Sequence, residues 1–320
     1  MFLIPDFKGF DFFPHGTRID FMRFKGICLL MSFVAMAASL GLLAVRGLNY
    51  GVDFKGGSMI ELQSKSGPVD VSSIRQKLSS LDLGDVQIQE FGNANDVLIR
   101  LEQQPGGEEA QQQALQKVVS TLGDGFIQRR VEVVGPAVSS ELRTTGTIAV
   151  LVSILAICIY VWFRFEWQFA VGTILSLAHD VLLTVGLFSL FQFSFDLSIV
   201  AALLTILGYS VNDTVVVSDR IRENLRKYKK MDLTELLNLS INETLSRTIL
   251  TGVTTLAVLV ALFLLGGEVI RYFSLAMLVG ILIGTYSSVF IAAPILGYMG
   301  IKRDWSGNET KKSSAVASRA

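Results

Sequence analysis

The sequence predicts an α-helical polytopic membrane protein, six transmembrane helices with a small ferredoxin-like α+β domain between the first and second. Three observations carry that prediction. Charged residues make up 18% of the 320 positions, against about 25% in a typical soluble chain. The deficit is concentrated in six stretches, 26–45, 144–163, 167–195, 197–218, 248–267 and 272–301, which hold one Asp in the third and one in the fourth. Each is 20 to 30 residues long, and a spanning helix needs about 20 apolar residues. The basic residues fall mostly on one side of those spans, and the 46–143 segment alternates strand-like with helix-like patterns. A soluble enzyme, a nucleic-acid-binding protein and a secreted disulfide scaffold are excluded.

The 1–25 segment comes first and carries Lys8, Arg18, Arg23 and Lys25. Its Asp6, Asp11 and Asp20 lie among aromatics, and the apolar run that follows has full spanning length, so no cleavable signal peptide is expected. Phe7, Phe10, Phe12, Phe13 and Phe21 suit a segment lying on the membrane surface, and equally a partly ordered tail. Arg164 follows the second span, seven basic residues lie in the 219–247 loop, and five lie in the 302–320 tail. Those 17 cations oppose Arg271 alone in the short loops of the other side. Short loops retain positive charge in the cytoplasm while long translocated domains are exempt. Both termini are therefore expected in the cytoplasm and 46–143 outside it.

The 46–143 segment follows. Residues 58–63 suit a strand, and 70–82 a helix capped by Asp70 with Val71, Ile74, Leu78 and Leu81 on one face. Val86 and Ile88 alternate with Gln87 and Gln89; Val97, Ile99 and Leu101 alternate after a turn at Gly92-Asn93-Ala94-Asn95. Pro105-Gly106-Gly107 breaks into a helix over 108–122, with Leu115, Val118, Val119 and Leu122 on one face. Ile127, Val131 and Val133 alternate in a last strand, completing the β-α-β-β-α-β order of a ferredoxin-like unit. The segment carries no His/Cys cluster, nucleophile–base pair or phosphate loop, so it is expected to contact something rather than transform it.

Ionisable groups enter the bilayer in 144–301. His179 and Asp180 lie near the middle of the third span, and Asn212-Asp213-Thr214 lies within the fourth. A charge at bilayer depth costs a few kcal/mol, and is usually retained for a proton or ion path or a buried pairing. Asp213 lies 16 residues beyond Leu197, or about 24 Å at ~1.5 Å per residue. Arg247 opens the fifth span at comparable depth, where it either pairs with Asp213 or snorkels from a helix end. Asp180 and His179 suit a proton path or a structural hydrogen bond equally well. Gly208, Ser210, Gly280, Gly284, Ser287 and Ser288 read as small residues for close helix contact. In the 219–247 loop, Ser218 through Lys230 extends the fourth helix into a basic stretch that meets anionic lipid or fixes topology, and Asp232 and Glu235 resemble a capping box, which predicts an interfacial helix along the membrane surface. Cys28 and Cys158 fall within spans and read as packing residues.

Four stretches carry a resemblance to a known family: GVDFKGG (51–57), VGPAVSSEL (134–142), GYSVNDTVVVSDRIREN (208–224) and SINETLSRT (240–248). The chain resembles the SecF family of protein-export membrane subunits, within the resistance-nodulation-division superfamily. Ser218 stands where an aromatic is expected, and one six-span half implies a separate SecD rather than a fusion. The resemblance implies a bacterial inner-membrane protein that, with SecD, couples the proton gradient to late export of preproteins from the SecYEG channel. Its implied partners are SecD, SecYEG, YajC, unfolded preprotein and membrane lipid, with no nucleic acid and no cofactor. Asp213 is then the proton carrier, Arg247 its switching partner, and Asn212 and Thr214 shape the carrier's hydrogen bonds. Gly51, Asp53, Phe54, Gly56 and Gly57 connect the first span to the domain, with Asp53 and Lys55 expected on the solvent side. A small-molecule or lipid exporter of the same superfamily is the alternative, and a pure assembly scaffold the bland one. An intramembrane hydrolase would need a nucleophile–base pair or metal ligands; with His179 the one histidine inside a span, no enzymatic activity is expected.

Overall fold

The computed structural model describes residues 18–84 and 86–301. The aromatic segment over 7–13, His15 and the 302–320 tail lie outside the described residues. After a turn of 3₁₀ helix at Phe21–Phe24, the first span is α1 (Lys25–Val45). A short strand β1 (Asn49–Tyr50) and one helical turn α2 (Val52–Lys55) lead into the inserted domain. Its elements are β2 (Gly57–Ser64), α3 (Val71–Ser79), β3 (Val86–Phe91), β4 (Asn93–Leu101), α4 (Gly107–Leu122) and β5 (Phe126–Val134). The chain then runs through α5 (Pro136–Arg164), α6 (Trp167–Phe191), β6 (Ser194–Phe195), α7 (Leu197–Lys227), α8 (Leu233–Leu265) and α9 (Glu268–Ser287). A π turn, Ser288–Ala292, joins α9 to α10 (Ala293–Met299). Pro294 has no N–H for the Phe290 carbonyl and its ring crowds that oxygen, which favours the widened turn.

Six helices, among the described residues, are long and apolar enough to cross a membrane. About half of α6, α7 and the α9–α10 span is buried, against less than a fifth of α1, α5 and α8. The outer helices expose Leu30, Phe33, Phe163 and Leu264, as lipid contact requires. Gly280 lets α9 approach α7, since a Cβ there would collide with Ile206. One apolar cluster (Phe54, Phe188, Ile199, Leu203, Ile206, Ile281) fills the domain end of the bundle. Another (Phe165, Phe169, Ile221, Leu225, Leu236, Leu296) fills the opposite end.

In 219–247 the fourth helix extends past Ser218 into the basic stretch, as the sequence suggests, while one expectation is corrected. The segment is mostly helix: α7 continues to Lys227 and α8 begins at Leu233, leaving five residues between them. No separate interfacial helix forms. Asp232 caps Thr234 N at 2.8 Å, but no Gly or Pro interrupts the next 19 residues, so one helix runs from the cap through the span. Leu236, Leu237 and Ile241 are buried in the bundle, not laid on a surface. Asn238 and Asn242 on this helix bind the chain ahead of α1, accepting from Met22 N at 3.0 Å and Ile19 N at 2.9 Å.

In the inserted domain the sheet order is β3-β4-β2-β5, every neighbour antiparallel. Asp70 caps α3 through Ser72 N and Ser73 N, as its sequence predicts, and Ile74 and Leu78 are buried beneath. Three local expectations shift. Residues 93–95 belong to β4, so the hairpin turns at Gly92 alone. The buried face of α4 is Gln111, Ala114, Val118 and Leu122, while Val119 is exposed. Gln111 is tolerated inside because it donates to Ser58 Oγ at 2.8 Å and accepts from Gln104 N at 2.8 Å. In β5, Glu61 pairs with Arg130 but Leu62 with Gln128, so Arg129 is an extra residue. That bulge switches the alternation, placing Val131 against the core and leaving Ile127 exposed on the other face.

Candidate functional site

The fourth span places Asp213. In α7 the buried residues run Ile199, Leu203, Ile206, Ser210, Asp213, Val217 and Ile221, a helical stripe facing the bundle. Asp213 is 2% exposed, and its Oδ2 has no hydrogen-bond partner within the protein. Among the other buried oxygens that share that condition are Tyr209 OH, Thr214 Oγ1 and Thr248 Oγ1. Tyr209 OH lies over Gly252 of α8, and Asp213 is one helical turn further along the same face. Thr248 is one turn before Gly252, so the seam between α7 and α8 gathers Asp213, Tyr209 and Thr248. Buried polar groups are nearly always hydrogen-bonded, and a cluster that the protein leaves unpaired has capacity for water or a proton.

Arg247 borders this seam. It lies 18 residues from Leu265, about 27 Å along α8, and Asp213 lies about 24 Å along α7 from the same end. Its charge acts on the Asp213 carboxylate, but the two form no ion pair within 4.0 Å, and Arg247 is exposed. Asn212 is exposed too and makes no hydrogen bond to the carboxylate, so it does not shape the acid's hydrogen bonding in this arrangement. It continues an outward stripe of Ala201, Thr205 and Gly208 on α7. Thr214 faces inward beside Asp213.

Asp180 has the opposite surroundings. It is fully buried, and its Oδ2 accepts from Ser210 Oγ at 2.6 Å and Ser287 Oγ at 2.9 Å. Oδ1 lies 3.0 Å from His179 Nδ1, and Ser176 Oγ donates to Ser287 Oγ at 2.8 Å. The network ties α6, α7 and α9 together at mid-span. Tyr286 extends the polar track toward α1, its ring 6.0 Å from that of His179 and its hydroxyl donating to Cys28 O at 2.9 Å. Ser210 and Ser287 therefore do more than permit close packing: they ligate a carboxylate. The sequence offers a partial signal in Ser176 and Asp180, one turn apart on α6; the partners on α7 and α9 are long-range.

The 51–57 motif forms the joint between bundle and domain. Gly51 N donates to Phe195 O at 2.8 Å, and β1 pairs in parallel with β6, Asn49 opposite Ser194 and Tyr50 opposite Phe195. Phe54 is buried with its ring 6.0 Å from that of Phe195. Lys55 is exposed, as expected, but Asp53 is half-buried, and its Oδ2 accepts from Leu197 N at 3.0 Å. Gly57 holds φ +110°, and a Cβ there would run into Leu101 O, so no other residue fits without displacing the sheet. Arg100 of β4 donates to Ser194 Oγ at 2.8 Å; burial lowers its pKa, partly offset by Asp196.

Comparison with known proteins places this architecture. The family model described as "Protein export membrane protein SecD/SecF, C-terminal" matches residues 114–302, and "SecD/SecF GG Motif" matches residues 41–67. The chain belongs to the SecD/SecF family. It is 44% identical over 317 residues to the protein translocase subunit SecF of Cereibacter sphaeroides, covering 95% of this chain and 96% of that one. SecF of Rickettsia bellii (strain OSU 85-389) is 46% identical over 294 residues, covering 91% and 96%. The translocase subunit SecDF of Brucella abortus is 44% identical over 289 residues, and there this SecF-like chain spans 38% of the relative. The crystal structure of SecDF from Thermus thermophilus superposes with a TM-score of 0.80 at 37% identity, over 89% of this chain and 39% of that one. The two matched segments contain both regions built above: the joint at 51–57 and the acids at Asp180 and Asp213.

Proposed function

We propose that this SecD/SecF-family chain is an accessory subunit of the Sec protein translocase that, together with SecD, turns the proton gradient into movement assisting late protein export. One observation supports the coupling above all others. Asp213 is a membrane-depth carboxylate whose Oδ2 has no partner in the protein, beside a second helix that brings Thr248 and the cation Arg247 to a comparable level. Neutralising the acid by protonation removes the cost of a desolvated charge and its attraction to Arg247. The α7–α8 seam can then repack. A charge crossing a 100 mV potential supplies about 2.3 kcal/mol, enough to bias a two-state motion roughly fifty-fold.

Asp180 and His179 take the framing role in this reading. Three neighbouring groups already satisfy the Asp180 carboxylate, so gaining a proton would weaken hydrogen bonds that its charge strengthens. The outward stripe Ala201, Thr205, Gly208 and Asn212 on α7 supplies small and polar surface for a partner helix, the kind of face that membrane helices pack against. SecD is the partner it fits, with SecYEG, YajC and preprotein as the wider assembly. The inserted domain is a ferredoxin-like unit on the periplasmic side of the bacterial inner membrane, and both termini are cytoplasmic.

The deciding experiment compares gradient-driven preprotein export in proteoliposomes holding wild type, Asp213→Asn or Arg247→Ala, each co-purified with SecD. Asp213→Asn is expected to keep the complex and lose the gradient-dependent part of export. Full gradient stimulation in that variant overturns the coupling. A small-molecule or lipid exporter would instead lose transport of its solute with preprotein export untouched.

A further inference from the structure

We propose that Asp53 is the transmission residue of this protein: its carboxylate clamps the first turn of α7 to the inserted domain, so displacement of the Asp213-bearing helix is delivered to the sheet. The inference rests on the proposed coupling and adds the part that carries the movement. Four observations converge on one joint. Asp53 Oδ2 accepts from Leu197 N, the first residue of α7, at 3.0 Å, in favourable alignment with the helix dipole. Leu197 N is one of the donors that α7 cannot satisfy internally. Asp196 meanwhile takes Ser198 N at 3.0 Å and Ile199 N at 3.3 Å, so the helix start is held by two acids, one from another part of the chain. The β1–β6 pairing and the Gly51 N–Phe195 O bond fix the strand leading into α7 to the segment leading into β2.

The path is short on both sides of the clamp. Three residues separate Asp53 from Gly57, the first of β2, and the turn between is closed by Gly56 N donating to Val52 O at 2.8 Å. Gly57 has no room for a side chain, so β2 leaves the joint in one direction. Arg100 of the adjacent β4 reaches Ser194 Oγ at 2.8 Å, a second tie between sheet and helix start. On the other side, α7 is one uninterrupted helix of 31 residues with Asp213 in its interior. A rigid rod carrying the acid and a stiff turn carrying the sheet meet at Asp53. Asp53 thus positions; it does not touch the proton or the exported chain.

The test uses the full chain co-purified with SecD in proteoliposomes, spin-labelled at Ser120→Cys on the domain and Lys229→Cys at the far end of the bundle. The gradient-dependent change in label distance is read beside preprotein export. Asp53→Ala removes the acceptor and is expected to abolish both responses. Asp53→Asn keeps an acceptor oxygen and is expected to restore both. Leu197→Pro reaches the same bond from the other partner: it deletes the N–H at a position where a helix accommodates proline, after an Asp196 that is already extended. It too should uncouple, even if Asp53→Ala fails to fold. A folded Leu197→Pro or Asp53→Ala complex with wild-type distance change overturns the proposal. If Asp213→Asn is inactive while either joint variant responds normally, the joint alone falls; if Asp213→Asn responds normally, the coupling itself falls.

Discussion

Asp180 and Asp213 sit on neighbouring helices of one bundle, both at most 2% exposed, and what separates them is hydrogen-bond supply. Asp180 is held by Ser210, Ser287 and His179, whereas Asp213 Oδ2 has none. Removing Asp180 takes the partner from Ser210 Oγ and His179 Nδ1 and one of three from Ser287 Oγ, which keeps Ser176 and Gly284 O. Hydrogen bonds between spanning helices are each worth about 0.6 kcal/mol on average, and two of the three cross helices, so Asp180→Ala should cost roughly 1 kcal/mol, read as a lower thermal midpoint of the purified complex. Asp180→Asn retains an acceptor for the serines and should recover most of that loss while leaving gradient-dependent export intact. Loss of export in a stable Asp180→Asn complex would make Asp180 a proton-path residue and reverse the assignment. The difference in hydrogen-bond supply between the acids was not legible in the sequence. There Asp180 stands beside His179 and Asp213 between Asn212 and Thr214, but the partners that satisfy Asp180 lie up to 107 residues away on other helices.

At the scale of single elements, helix starts and strand turns show where local chemistry decides and where packing overrides it. Asp70 caps α3, and the hydrogen bonds from the Ser72 hydroxyl and then the Ser73 amide hold its pKa below the ordinary carboxylate value. A carboxylate whose folded pKa is depressed contributes fully above its unfolded value, about 3.9, and loses that contribution as pH falls through the folded value. Hydrogen-exchange protection of the α3 amides, corrected for intrinsic rates, should therefore decline on acidification below about pH 4, and Asp70→Asn should flatten that decline. Gly57 presents the reverse case, a position set by the sheet. Gly57→Ala adds a Cβ against Leu101 O at a positive φ, and should destabilise the domain by more than ~1 kcal/mol in a protease-resistance assay. The Asp70 cap, the strands and the order of elements were readable because their signals are local: a capping acid, a period of two, a Gly break. The Arg129 bulge and the rotated face of α4 were not, since a bulge is set by pairing with β2 and the Gln111 face by Ser58 across the core. The spans were found because hydrocarbon excludes charge, but charge does not end a helix. Hence α7 runs on through Arg220, as its basic extension suggests, and α8 runs from Glu235 straight into the span, where the capping box suggests a separate surface helix.

The whole molecule is two bodies joined at one end: a four-stranded domain resting on the starts of α2 and α7, and a six-helix bundle reaching away from it. α7, at 31 residues, is about 46 Å long, and α8, at 33, about 50 Å, against a hydrocarbon core of about 30 Å. With their domain-side ends at one membrane surface, both helices must protrude from the other, and the protruding part carries Arg220, Arg222, Arg226, Lys227, Lys229 and Lys230. Short loops of such charge are retained in the cytoplasm, so helix length and charge together support the proposed orientation. Both native cysteines can be replaced by serine, since Cys28 and Cys158 are free, and single reporters installed at Ser120 in α4 and Lys229 between α7 and α8. A membrane-impermeant maleimide should label Ser120→Cys in spheroplasts and Lys229→Cys only after the membrane is opened. The reverse pattern would invert the molecule. Protons entering from the outer side would then arrive at the basic end, Asp213 would lie in the half of the membrane nearest them, and the direction of the proposed stroke would have to be reversed with it.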